Sequence, residues 1–89
     1  MKEPSPRLAA LRRRIDVLDR RVVRLLAARL RIVRAIKPLK SRLRDPRREA
    51  KILRGVVREA RHRGADPVFV AAVYRALLGA SRSFLRRRV

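Results

Sequence analysis

The chain has 89 residues and a mass of 10.4 kDa, which allows one domain with a modest core. Lys plus Arg total 27 against 7 Asp plus Glu, so the formal net charge is +20, while apolar residues reach 47%. This composition excludes a disordered tail, and the lack of Cys excludes disulfide scaffolds, thiolate metal sites and cysteine nucleophiles. Short apolar runs, and an N-terminal segment without an apolar stretch, predict a cytoplasmic protein with no contact to a membrane.

Three prolines each follow a residue that favours the N-cap of a helix: Ser5-Pro6, Asp45-Pro46 and Asp66-Pro67. Proline suits the first helical position because its missing N–H has no partner there, and Ser and Asp side chains accept hydrogen bonds from the other N–H groups. Gly64 is suited to end the second helix. No alternating strand pattern competes. We predict a single all-α domain over residues 1–89, with helices over roughly 6–40, 46–63 and 67–87.

The first predicted helix carries an apolar seam whose members alternate by three and four residues. They are Leu8, Leu11, Ile15, Leu18, Val22, Leu25, Ile32 and Ile36, with Arg29 in one of the slots. A helix of about 33 residues is roughly 50 Å long, too long for the two shorter helices to cover. An exposed seam of that size needs a partner, and the simplest partner is a second copy. We predict an intertwined helical homodimer.

Each predicted helix places one polar residue among its apolar positions: Arg29, Glu49 and Ser81. Buried charges must be paired or must hold a ligand. Structural interpretations stay open, because Arg29 and Glu49 could pair with each other, Glu49 suits the first turn of a helix, and Ser81 could bond to its own backbone. Taken together, the set suits a small dianion with a hydroxyl group, bound by arginine rather than attacked by a nucleophile.

Metal and triad chemistry have no basis in the sequence. The one histidine, His62, lies between Arg61 and Arg63 on a solvated stretch. That leaves neither a ligand set for a metal ion nor the base of a Ser-His-Asp triad.

Four segments follow a combined spacing that covers nearly the whole chain. Residues 11–19 read Leu-Arg-Arg-Arg-Ile-Asp-Val-Leu-Asp, and residues 25–29 read Leu-Leu-Ala-Ala-Arg, with Lys40 eleven positions later. Residues 45–49 read Asp-Pro-Arg-Arg-Glu, and Ser81 follows Asp66 by 15 positions. These motifs are similar to those of the all-helical class of chorismate mutases, whose signatures are Leu-Arg-x-x-Ile-Asp-x-x-Asp and Asp-x-x-Arg-Glu.

The resemblance implies a domain-swapped dimer of three-helix chains with two sites, each built from both subunits. It implies an isomerase of the shikimate pathway that rearranges the dianion chorismate to prephenate, en route to Phe and Tyr, with no cofactor. Some members of this family are weak catalysts until a partner enzyme reshapes the site. An activating partner enzyme is therefore one of the expectations that the resemblance carries.

The resemblance also assigns the cations of the site. Arg12 from the partner chain, together with Arg29, would hold the substrate carboxylates. Lys40 would reach a carboxylate and the ether oxygen whose bond breaks. Of these, Arg29 and Lys40 would be catalytic.

A second group of residues is assigned to the ring and its hydroxyl. Arg48 and Glu49 would frame the ring, and Glu49 would accept the hydroxyl as the third catalytic residue, with Asp45 beside them. Ser81 would bind a carboxylate.

Two positions depart from the family pattern. Four residues after Ser81, the family places a Gln or Glu that donates to the ether oxygen, and here that binding position is Leu85. Losing such a donor costs on the order of 3 kcal/mol in transition-state stabilisation, and either Arg82 or Arg86 could replace it. Pro38 falls in the last turns of the first helix, where it removes an N–H, clashes with the carbonyl of Arg34, and bends or ends the helix.

Other functions stay open at this point. An isochorismate-pyruvate lyase shares the fold and the cationic site, and a scaffold protein could have kept the fold and lost activity through Leu85. A nucleic-acid partner would explain the charge. Against that partner, the Arg residues are spread along the chain, and one Tyr and two Phe are too few for a stacking platform. A genome-wide bias towards Arg codons explains the charge equally well.

Overall fold

The computed structural model describes residues 5–87 and is built from helices. They are α1 (Pro6–Ile36), a 3₁₀ turn (Lys37–Leu39), α2 (Pro46–His62) and α3 (Pro67–Arg87). No strand occurs among these residues, so the all-α prediction is confirmed. Residues 1–4, part of the segment expected to carry no secretory signal, and residues 88–89 lie outside the described residues.

The chain divides into two compact units, residues 1–33 and 34–89. The described part of the first unit is α1 as far as Val33, and no residue of α1 is buried. The second unit holds the end of α1, the connector (residues 37–45) and the two helices α2 and α3, which pack against each other. A helix in a protein draws most of its stability from an apolar face packed on a neighbour. The prediction of one domain over residues 1–89 stays a prediction.

Pro38 ends α1 earlier than the apolar seam predicts. The α-helix stops at Ile36 instead of near residue 40, and the chain continues as a 3₁₀ turn over Lys37–Leu39. The proline ring removes one backbone donor and clashes with the preceding turn, which is the effect expected from its position. Lys40 follows in extended conformation, with φ −103° and ψ 143°. Lys40 therefore lies on the connector and not on a helix.

All three predicted N-caps are present. In each, the cap side chain accepts a hydrogen bond from a backbone N–H in the first turn, which satisfies a donor that has no partner inside the helix. The bonds run from Leu8 N to Ser5 Oγ (3.1 Å), from Arg48 N to Asp45 Oδ1 (3.1 Å) and from Val68 N to Asp66 Oδ1 (2.9 Å). The starts of the helices are therefore set by local chemistry.

Gly64 ends α2 as predicted, in a Schellman motif. The N–H of Ala65 donates to the carbonyl of Ala60 (2.8 Å), and the N–H of Gly64 donates to the carbonyl of Arg61 (3.2 Å). Gly64 has φ +71°, a left-handed conformation that costs an L-residue about 1–2 kcal/mol. This tight end allows α3 to begin at Pro67.

Two alanine substitutions, one inside α2 and one just after its end, should change stability in opposite directions. A Cβ added at Gly64 or at Gly55 meets no atom within 4 Å, so neither variant creates a clash. Gly64→Ala should lower the free energy of unfolding by about 1 kcal/mol because of its positive φ. Gly55→Ala should raise it by about 0.8 kcal/mol, since alanine is the better residue inside a helix. Urea unfolding followed by circular dichroism measures both; equal effects would contradict the left-handed conformation of Gly64.

The buried residues of the described chain lie on α2 and α3, the two helices that pack against each other. The apolar ones are Ala60, Ala71, Leu78 and Leu85, and Ser81 is the buried polar one. On α2 the facing residues Ile52, Leu53, Val56 and Val57 are half-buried. These two helices therefore supply the small core of the described residues.

α3 has the length and composition of a membrane-spanning helix, contrary to the expectation that no segment does. Its apolar run from Val68 to Tyr74 is seven residues long, longer than the short runs on which that expectation rested. Length and composition alone do not show a membrane, because a core helix of a soluble protein passes the same test. α3 packs against α2 and carries Arg75 and Arg82. The cytoplasmic location stays a prediction.

Candidate active site

The second unit brings the start of α2 and the end of α3 together. The short turn after Gly64 reverses the chain, so the first turn of α2 lies beside the last turns of α3. Six of the predicted site residues belong to this unit: Lys40 on the connector, Asp45, Arg48 and Glu49 at the start of α2, and Ser81 and Leu85 on α3.

Glu49 forms an ion pair with Arg82 across the two helices. The Oε2 atom of Glu49 accepts a hydrogen bond from Nη1 of Arg82. Both side chains are largely withdrawn from solvent, with 18% of Glu49 and 22% of Arg82 exposed. Arg82 also lies along the surface of α3, since a Cβ added at Gly79 would be 3.8 Å from its Nη2 atom. The charge of Glu49 is thus balanced within the second unit.

A second ion pair shows what an ordinary surface pair looks like in this chain. Arg63 donates to Glu59 at 2.7 Å, one turn apart on α2, and both side chains are mostly exposed. The hydrogen bond to Glu59 and the attraction of its charge raise the pKa of Arg63. Such an exposed pair contributes little to stability. The pair between Glu49 and Arg82 differs because the loss of one partner leaves a half-buried charge.

Ser81 is buried and bonds back to its own helix. It is 7% exposed, and its Oγ donates to the carbonyl of Leu77 at 2.8 Å. The sequence left open that Ser81 bonds to the backbone of its own helix, and the structure shows this bond. To donate to a substrate carboxylate, the hydroxyl proton has to turn away from Leu77.

Lys40 and Leu85 line the same pocket, which has a volume of about 210 Å³. Its walls come from the connector and from α3, and consist of Lys37, Lys40, Ser41, Arg42, Leu43 and Leu85. Three of these side chains are cationic and none is acidic. The pocket is therefore suited to an anion, with Leu85 supplying an apolar wall.

Lys37 ties the connector to the end of α3. Its Nζ donates to the backbone carbonyl of Leu85 at 2.8 Å, across 48 positions of sequence. A cation at this end of a helix also complements the partial negative charge of the last carbonyl groups. Lys40, three positions later, donates to the carbonyl of Leu43 at 3.0 Å and is otherwise exposed. Both lysines line the pocket, and Lys37 is the one whose bond joins the connector to α3.

Asp45 and Arg48 have structural roles in this conformation. Asp45 is half-buried, and its carboxylate caps α2 by accepting from the backbone N–H of Arg48. The side chain of Arg48 is exposed, one position before the half-buried Glu49. The cap thus fixes the first turn of α2, from which the side chains of Arg48 and Glu49 extend.

Arg12 and Arg29 both lie on α1, where Arg12 is exposed and Arg29 is half-buried. They are 17 positions apart, which corresponds to about 26 Å along a helix axis. An extended arginine side chain reaches only ~7 Å. One copy of α1 therefore cannot bring both guanidinium groups to the same small ligand.

Sequence reasoning missed two residues of this region. Arg82 was considered only as a replacement donor, yet it is the ion-pair partner of Glu49. Its position four residues after Leu78 and three before Leu85 was the available signal, because these spacings share a helix face. Lys37 had no such signal, since its partner carbonyl lies on another helix.

Comparison with known proteins gives one match. The family model of chorismate mutase type II matches residues 11–85. No curated protein and no solved structure matches the chain. The matched range runs from the first turns of α1 to Leu85 on α3, and so includes every site residue predicted from the sequence. The chain belongs to the type II chorismate mutases, a family of isomerases.

Proposed function

We propose that this chain rearranges chorismate to prephenate in a cationic site that it shares with a second copy of itself. The observation that carries the proposal is that Lys40 and Leu85, two of the predicted binding residues, line one pocket with three cations and no carboxylate. The family match supports the type of reaction, and the cationic lining of the pocket is consistent with a negatively charged substrate. A net charge of +20 also attracts small dianions from solution.

Three cationic residues bind the negatively charged groups and the ether oxygen of the substrate. Lys40 binds a carboxylate and the ether oxygen from the wall of the pocket, and Arg29 binds a carboxylate from α1. Arg12 comes from the second copy and binds a carboxylate as well. Arginine suits this role because its planar fork matches the geometry of a carboxylate.

The remaining residues hold the ring. Glu49 accepts the ring hydroxyl, Arg48 lies beside it at the start of α2, and Asp45 fixes that turn by capping it. Ser81 donates to a carboxylate once its hydroxyl group has rotated away from the carbonyl of Leu77. Leu85 contributes apolar contact only.

The reaction needs neither a proton transfer nor a covalent intermediate. The ether C–O bond breaks while a new C–C bond forms within the same molecule. The protein accelerates this step by holding the substrate in a compact reactive conformation, and by placing cations where the ether oxygen gains negative charge. A preformed cationic pocket supplies both effects.

The geometry of α1 supports a site that is shared between two copies. Arg12 and Arg29 are too far apart on one helix to reach the same ligand, so a site that uses both takes one of them from another chain. The apolar seam of α1 is also exposed, with Ile15 at 55% and Leu18 at 54%. A symmetric pairing of two seams would cover these side chains and bring Arg12 of one copy towards the site of the other.

A product assay tests the proposed function. Purified protein is incubated with chorismate and, in parallel, with isochorismate, and the products are identified by mass and absorbance. We expect prephenate from chorismate. Salicylate and pyruvate from isochorismate, without turnover of chorismate, would instead identify an isochorismate-pyruvate lyase. Absence of turnover with both substrates would contradict the proposal.

A further inference from the structure

The donor that the family resemblance places on the ether oxygen is missing at position 85. Leu85 is 4% exposed, and its side chain has no polar atom. The guanidinium groups nearest to it along α3 belong to Arg82, three positions before it, and to Arg86 and Arg87, one and two positions after it. Arg86 and Arg87 are exposed, whereas Arg82 is half-buried. Residues three apart share a helix face, so Arg82 is the cation that α3 turns towards α2.

The ion pair with Glu49 determines where the guanidinium of Arg82 lies. Nη1 of Arg82 is bonded to Oε2 of Glu49, the group assigned to the ring hydroxyl in the proposed function. The hydroxyl and the ether oxygen of chorismate are on neighbouring ring carbons. A donor held at Glu49 is therefore within reach of the ether oxygen when the hydroxyl binds to Glu49.

The shape of the guanidinium allows both bonds at once. It has five N–H donors in a rigid planar fork, so one nitrogen can stay with Glu49 while another N–H turns to the substrate. A lysine could not do this with the same geometry, because its ammonium is a single point charge.

We propose that Arg82 replaces the missing donor and stabilises the ether oxygen in the transition state, an inference that rests on the proposed function. As the C–O bond breaks and the C–C bond forms, the electron pairs move within the substrate, and the ether oxygen gains negative charge. A guanidinium already held in place by Glu49 stabilises that charge without reorganisation. No proton or electron passes between substrate and protein.

Four variants test this role: Arg82→Ala, Leu85→Gln, the double variant, and Arg86→Ala as the matched control on the same helix. Arg82→Ala should lower kcat for chorismate about a hundredfold, with a smaller change in KM, and Arg86→Ala should leave kcat unchanged. Leu85→Gln restores the usual donor. It should raise kcat about tenfold or more in the Arg82→Ala background, and only a few-fold in the wild-type background.

Several outcomes would overturn the inference while the proposed function stands. One is a kcat of Arg82→Ala that equals that of Arg86→Ala. Another is an equal gain from Leu85→Gln in both backgrounds, since this would mean that the two positions act independently. Arg82→Gln keeps a neutral hydrogen-bond donor for Glu49, and its kcat should lie between those of wild type and Arg82→Ala. Thermal unfolding of each variant shows whether a loss of kcat comes from a folding defect. A wild-type chain that does not convert chorismate overturns the proposed function and this role together.

Discussion

Replacing Lys40 by Ala should reduce kcat for chorismate by about a thousandfold while leaving the helical content unchanged. Lys40 is exposed on the connector, and its hydrogen bond goes to the carbonyl of Leu43, so the substitution removes no buried contact. The loss should fall on catalysis because this ammonium serves both a carboxylate and the ether oxygen. Steady-state kinetics and circular dichroism on the same preparation separate the two effects.

Lys51→Ala is the matched control for Lys40→Ala. Lys51 is an exposed residue of α2 outside the proposed site, and its loss changes the net charge by the same amount. We expect its kcat and KM to stay within about twofold of wild type, as for most surface substitutions away from special features. Comparable losses in both variants would show that the overall charge, and not a positioned lysine, drives turnover. That result would remove Lys40 from the site.

Mixing two inactive variants should restore activity if the site is shared between copies. Arg12→Ala and Lys40→Ala each damage both sites of their own homodimer. In a mixed dimer, one site receives Lys40 from the first chain and Arg12 from the second, and is intact, while the other site lacks both. Random exchange of subunits should therefore give about one quarter of the wild-type activity per site, because half of the dimers are mixed and each has one intact site.

The control for this experiment combines two residues assigned to the same copy. Lys40→Ala mixed with Glu49→Ala produces no intact site, because both residues belong to the second unit of one chain. This mixture should stay inactive after subunit exchange by dilution from denaturant. If the Arg12→Ala and Lys40→Ala mixture also stays inactive although mass spectrometry detects mixed dimers, Arg12 does not act across the interface.

Much of the fold could be predicted because its signals are local. At the starts of the three helices, the side chains of Ser5, Asp45 and Asp66 accept hydrogen bonds from backbone N–H groups two or three positions later. Gly64 ends α2 through bonds that lie within five positions. Such interactions depend only on residue type and helix geometry, so the sequence contains them. The end of α1 was placed too late because the apolar seam continues beyond Pro38, and the proline outweighs the seam.

For the candidate site, the sequence predicts members but not the contacts between them. The sequence indicated Arg29, Glu49 and Ser81 as polar interruptions of apolar faces, and the last two are half-buried and buried at the interface of α2 and α3. The sequence suggested Arg29 as one partner for Glu49, and the structure gives Glu49 an ion pair with Arg82. That pairing depends on how far each helix is rotated about its axis, and on α3 the buried Leu78 and Leu85 share a face with Arg82.

Three helices, their caps, the cationic character of the chain and its membership of the type II chorismate mutases follow from the order of the amino acids. The ion pair of Arg82 with Glu49, 33 positions apart, and the bond of Lys37 to the carbonyl of Leu85, 48 positions apart, appear only in the folded chain. The difference lies in the range of the interactions. Capping and helix periodicity act within one or two turns, whereas the partner of a half-buried charge depends on which helix packs against it and in what orientation.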